Sequence, residues 1–139
     1  MTDTRTILGD IYDAWREQNL DLLASYLPLE FCHTVNFPAD LHPAGGVYES
    51  KQAAVARWQQ IFSDFECERF DTLALLTDSG RAAVEILVHC RHRQSGVPFQ
   101  TTKAHFWTIE FGWPVRLNEY YDIGEVQSFV RAVSVHGTS

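Results

Sequence analysis

The chain has 139 residues, 45% of them hydrophobic and 21% charged, with a formal net charge of −7. That length predicts one domain, residues 1–139, able to bury roughly two thirds of its chain surface. With no Lys/Arg run to neutralise phosphates and no apolar run of about 18 residues, neither a nucleic acid nor a membrane is an expected partner. The opening MTDTRTILGD holds no apolar stretch of signal-peptide length, so a soluble, cytoplasmic protein is expected. Cys32, Cys67 and Cys90 are odd in number, far apart and without metal spacing. They read as reduced thiols, with no metal and no cofactor expected.

Ile7, Leu8, Ile11 and Trp15 recur at helical spacing, with Tyr12 at the margin, and predict a helix over Thr4–Gln18. Asn19 caps a second helix with Leu20, Leu22, Leu23, Tyr26 and Leu27 as its buried face, and Pro28 stops it. Glu30–Phe37 alternates as a strand, with Phe31, His33, Val35 and Phe37 on one side. Pro38 through Gly46 reads as a loop. Ser50 caps a third helix striped by Ala54, Val55, Trp58, Ile61, Phe62 and Phe65. Glu66–Thr77 and Arg81–Arg93 are strands joined by Asp78-Ser79-Gly80. In the second, Val84, Ile86, Val88 and Cys90 alternate with Glu85, His89, Arg91 and Arg93.

The stretch Phe99–Asp122 reads as two long strands joined by a tight turn at Phe111-Gly112, where Gly supplies a positive φ. Pairing from that turn sets Thr101 against Asp122, Lys103 against Tyr120, His105 against Asn118 and Trp107 against Arg116. One face then carries Lys103, His105, Trp107, Arg116, Asn118, Tyr120 and Asp122. A last helix carries Val126, Phe129, Val130 and Val133, and Val135–Ser139 reads as a frayed end. Helix, helix, strand, helix and four antiparallel strands make an α+β layout, with helices gathered on one face of a strongly curved sheet.

The segments IYDAWREQNLDLLASYL, the Gly-rich loop before YESKQAAVARWQQIF, and HFWTIEFGWPVRLNEYYD resemble the nuclear-transport-factor-2-like superfamily. Within it the likeness is to SnoaL-like polyketide cyclases and ketosteroid isomerases, over about Ile7–Val133. The resemblance implies a cone-shaped α+β roll with a pocket at its mouth. The isomerase's proton-shuttling Asp falls at Phe37, before Pro38, with Asp40 three residues on. Its oxyanion Tyr falls at Ile11, one step from Tyr12, and its protonated Asp falls near His105. The Arg-x-Asp of the related epoxide hydrolases is replaced by Val88-His89-Cys90. Asp122 matches a strand-end Asp that performs proton transfer in cyclases and epoxide hydrolases.

The function expected is cofactor-independent acid–base chemistry on a small apolar carbonyl compound, of isomerase, cyclase or dehydratase type. The alternative is a non-catalytic small-molecule-binding or dimerisation module. Asp122 and His105 are the expected catalytic pair, with Asn118, Tyr120, Trp107, Phe37, Trp58 and Tyr12 around the substrate. Asp122 also opens an Asp-x-x-Glu pattern and reads equally as a helix cap. The simplest reading of His105 is a hydrogen-bonded core histidine. A homodimer is expected through the sheet face bearing Leu87, Phe106, Val115, Leu117 and Tyr121.

Overall fold

Short polar side chains open every helix, because each first turn leaves backbone N–H groups without intrahelical partners. The computed structural model describes residues 3–136. Asp3 accepts from the Thr6 N–H (2.8 Å) to start α1, Thr4–Arg16. Asn19 accepts from Leu22 (3.1 Å) to start α2, Leu20–Ser25, and Ser50 accepts from Ala53 (3.0 Å) to start α3, Lys51–Asp64. Asp122 accepts from Glu125 (3.0 Å) to start α4, Ile123–His136. Val135 and His136, expected in a frayed end, belong to α4, and the rest of that stretch, residues 137–139, lies outside the described residues.

Six strands form one sheet: β1 Cys32–Val35, β2 Gly46–Tyr48, β3 Phe65–Asp78, β4 Arg81–His92, β5 Pro98–Glu110 and β6 Trp113–Tyr120. Their order is β2-β1-β6-β5-β4-β3, antiparallel throughout except for the parallel β1–β6 pair. This is the expected α+β cone. The segment read wholly as a loop turns back at its end to give β2. Gly45 permits that return, since a Cβ there would lie 2.3 Å from the Phe37 carbonyl oxygen. The core joins Leu8, Ile11 and Tyr12 of α1 and Trp58 of α3 to Val84, Ile86, Trp107 and Leu117 of the sheet.

The Phe111-Gly112 turn forms as the sequence predicts, with φ of 52° and 79°. The register beyond it does not. Near the turn Ile109 pairs Pro114 and Glu110 pairs Trp113, but Thr108 pairs Arg116, leaving Val115 without an opposite partner. Pro114 has no N–H to give the ladder, and a bulge is where a sheet accommodates such a residue. From there His105 faces Glu119 and Trp107 faces Leu117. One residue of slip turns every β6 side chain to the other face. Asn118 and Tyr120 thus leave the inner face, and Leu117 and Glu119 take it. Tyr121, just past the strand end, sends its ring inward as well.

Candidate functional site

The inner face closes round a cavity of about 110 Å³, walled by aromatic rings from every layer. Trp15 comes from α1, Phe62 from α3, Phe70 from β3, Phe99 from β5 and Phe129 from α4, while Phe37 follows β1. The loop after Phe37 brings His42 and Ala44 to the same wall. Apolar walls with a few convergent polar groups are the usual make-up of a small-molecule site. Here those groups are Lys103, Glu119, Tyr121 and His33.

Glu119 is the centre of that polar end. Its Oε2 accepts from Lys103 Nζ (2.7 Å), His105 Nε2 (2.5 Å) and the Tyr121 hydroxyl (3.4 Å), and its Oε1 accepts from His33 Nε2 (3.2 Å). Donor direction fixes both imidazoles. The Trp58 indole N–H donates to His33 Nδ1 (3.1 Å), so Nε2 of His33 carries the proton that faces Glu119. The Trp107 indole N–H donates to the Tyr12 oxygen (2.8 Å), and the Tyr12 hydroxyl in turn donates to His105 Nδ1 (2.7 Å). Two relays, Trp58–His33 and Trp107–Tyr12–His105, therefore end on one carboxylate. At the end of β6, Asn36 holds the backbone of Tyr121 by two hydrogen bonds, of 2.8 and 3.0 Å, and so sets where Glu119 and Tyr121 stand.

Burial would raise the Glu119 carboxyl, but Lys103 and His105 outweigh it and hold the group well below its usual range. Burial likewise opposes the Lys103 charge, and Glu119 and Tyr121 overcome it, keeping the ammonium above its ordinary value. For His105 burial wins over Glu119, and its pKa falls to about 4. The unfolded chain then takes up that proton first as pH drops, so native stability is full above about 6.5 and declines toward 4. We predict a loss of about 2–3 kcal/mol between pH 6.5 and 4.5 from this group alone. Urea melts of wild type and His105→Gln would check it; an unchanged slope in the variant would assign the decline to other groups. The Glu119 contribution is present above its unfolded value and is lost only at lower pH, through its depressed folded pKa.

The sequence-predicted residues divide by layer. Phe37 lines the cavity. His105, Tyr12, Trp107 and Trp58 are buried behind it and act on Glu119 directly or through the relays. Asp122 is corrected: it is exposed and caps α4. Asn118 and Tyr120 are corrected with it, since both stand on the outer face; Tyr120 is 46% exposed and packs on Phe106. The expected pairing of Asp122 with His105 across one cavity is therefore absent. Sequence reasoning passed over Glu119, Lys103 and Tyr121. The signal for Glu119 was available, because Lys103 and His105 share a face of β5 and Glu119 is the only carboxylate on β6.

Gln18 was also missed. It follows α1 in the left-handed region, with φ of 54°, where the Asn19 N–H closes back onto Ala14 (2.9 Å). Glycine is the usual residue at such a helix end. Its side chain lines the cavity and makes no hydrogen bond to a described residue. We predict that Gln18→Gly raises stability by about 0.5–1 kcal/mol through relief of that backbone cost, net of glycine's entropy. A denaturation midpoint at or below wild type would show that the Gln side chain contributes packing that outweighs the strain.

Comparison with known proteins bears on fold and family. Among curated proteins no sequence match is found. An NTF2-like protein of unknown function from Burkholderia pseudomallei superposes with a TM-score of 0.83 at 16% identity, over 94% of this chain and 98% of that one. A Pseudomonas putida protein provisionally named a polyketide cyclase gives 0.80 at 16% identity, over 92% and 98%. TerC, co-crystallised with polyporic acid, gives 0.78 at 12% identity, over 90% and 95%. At such identities the likeness is one of fold. The sequence itself matches the SnoaL-like domain over residues 8–115, and this chain belongs to that family.

Proposed function

We propose that the protein is a cofactor-independent acid–base enzyme, of isomerase, cyclase or dehydratase type, acting on a small, largely apolar carbonyl compound. The observation that carries this reading is Lys103, a buried ammonium at the polar end of an aromatic cavity. Two of its N–H groups go to Glu119 and Tyr121, and the third is left for a ligand. The ammonium stabilises the charge a carbonyl oxygen gains when a neighbouring C–H loses its proton, and the Tyr121 phenol joins it by turning its one hydroxyl proton from the long 3.4 Å contact with Glu119 to that oxygen. Glu119 Oε1, which accepts from His33 alone, is the group that takes the proton. The cyclase name of one relative and the polyporic acid with which another was co-crystallised support a small organic ligand here.

The test is deuterium exchange next to the carbonyl of small cyclic and aryl ketones, followed by NMR in D2O. Wild type should accelerate exchange above buffer. Tyr121→Phe, which keeps the Lys103–Glu119 pair, should slow it about 10²-fold. Binding of these ketones without exchange would instead support the second reading, a non-catalytic binding module. One observation favours that alternative: four donors on one carboxylate leave Glu119 a weak base.

We also propose that the outer sheet face meets a second copy of the chain. Leu117 and Tyr121 leave the apolar set first assigned to that face; Leu87 and Phe106 (49% exposed) stay on it, and Tyr120 (46%) and Leu76 (70%) join them. Polar neighbours make this a mixed interface. Sedimentation should give a dimer at micromolar concentration, and Phe106→Asp a monomer; a wild-type monomer would refute the proposal.

A further inference from the structure

Cys67 on β3 and Cys90 on β4 are register partners, directly opposite across the ladder. The phase of that ladder is fixed just beyond its end, where the Arg93 N–H donates to the Asp64 carbonyl at 2.9 Å. In an antiparallel pair the hydrogen-bonded positions alternate, so Asp64–Arg93 and Glu66–Arg91 are hydrogen-bonded pairs. Phe65–His92 and Cys67–Cys90 are then the non-hydrogen-bonded ones. At such a position the Cα atoms approach to about 4.5 Å and the side chains stand closest, within the span of a disulfide. Both thiols lie on the inner face and line the cavity. The register of β3 slips immediately after Cys67, before Arg69, so the strand is irregular on one side of the pair. Cys32, the third cysteine, stands on β1 across the sheet.

We propose that Cys67 and Cys90 form a redox-modification site in the cavity wall, closed to a cross-strand disulfide by a low-molecular-weight disulfide such as oxidised glutathione. The exposed residue, Cys67, reacts first. Its thiolate attacks one sulfur of the reagent, breaks that S–S bond and releases one thiol, which carries off the proton Cys67 gave up. Cys90, as thiolate, then attacks Cys67 Sγ and expels the second thiol with the second proton. Two protein thiols are oxidised and one reagent disulfide is reduced. Burial raises both thiols above their ordinary value, Cys90 to about 11, so each step runs through a small thiolate fraction and speeds up with pH. Closure ties β3 to β4 beside Phe65 and Phe70 and removes two thiols from the lining of the cavity.

Incubation of the folded protein with oxidised glutathione at about pH 8.5 tests this. Thiols titrated after denaturation should fall from three to one. Intact mass should drop by two hydrogens, and a peptide map should join Cys67 to Cys90. Cys32→Ser should behave like wild type apart from the missing thiol, whereas Cys90→Ser should stop at a glutathione adduct on Cys67. Three outcomes would overturn the proposal. They are a lasting adduct on Cys67 in wild type, a disulfide between chains on a non-reducing gel, and three unreacted thiols under conditions that oxidise the urea-unfolded chain.

Discussion

Glu119→Gln should lower the free energy of unfolding by about 3–5 kcal/mol, the usual cost of breaking a buried ion pair from one side. Lys103 is 7% exposed and Glu119 5%, so neither has water to fall back on. The amide cannot neutralise the ammonium, and it turns an N–H₂ group toward donors that all need an acceptor. The loss therefore includes unpaired polar groups as well as charge. Changing both partners at once, Lys103→Met with Glu119→Leu, should recover most of the stability, because no buried charge is then stranded. Urea denaturation at pH 7 of the three proteins would decide. A single variant within about 0.5 kcal/mol of wild type would mean that Lys103 finds another counter-charge.

Trp58→Ala should cost about 3–5 kcal/mol. The side chain is wholly buried and packs edge-on against Trp15 (4.7 Å between centroids), Phe31 (5.9 Å) and His33 (5.8 Å). Emptying it removes the pivot between α1, α3 and β1. It also strips His33 of the donor that fixes which nitrogen faces Glu119. Trp58→Phe goes some way to separating the two effects, keeping most of the volume while losing the N–H, and should cost about 1–3 kcal/mol. If the alanine variant melted like wild type, the core assignment of Trp58 would be wrong.

The elements and the inward face of most strands were legible in the sequence. His33, Val84, Ile86 and Trp107 are buried on the alternation that predicts them, and Asn19 and Ser50 cap as their type implies. The candidate site was half legible. The face of β5 was right in Lys103, His105 and Trp107, whereas β6 was read one residue out of phase. A hairpin turn fixes register only as far as the first irregularity, and the unpaired Val115 lies three residues past Gly112. Pro114 was the visible warning, since a proline in a central strand cannot complete the ladder. Asp122 drew attention because it continued the wrong face; its own Asp-x-x-Glu pattern described it correctly as a cap.

The coupling of Lys103 to Glu119 has a consequence for admission. Together they carry no net charge, so the interior offers a guest a dipole rather than an ion. An anionic guest drawn to Lys103 would be forced against a carboxylate 2.7 Å from that same nitrogen. That repulsion, about 4 kcal/mol at roughly 4 Å in partly screened surroundings, cancels most of the attraction to the ammonium. A cationic guest would meet the ammonium in the same way. The pair therefore supplies no net charge to offset the cost of taking a charged guest out of water, which favours a neutral, dipolar one.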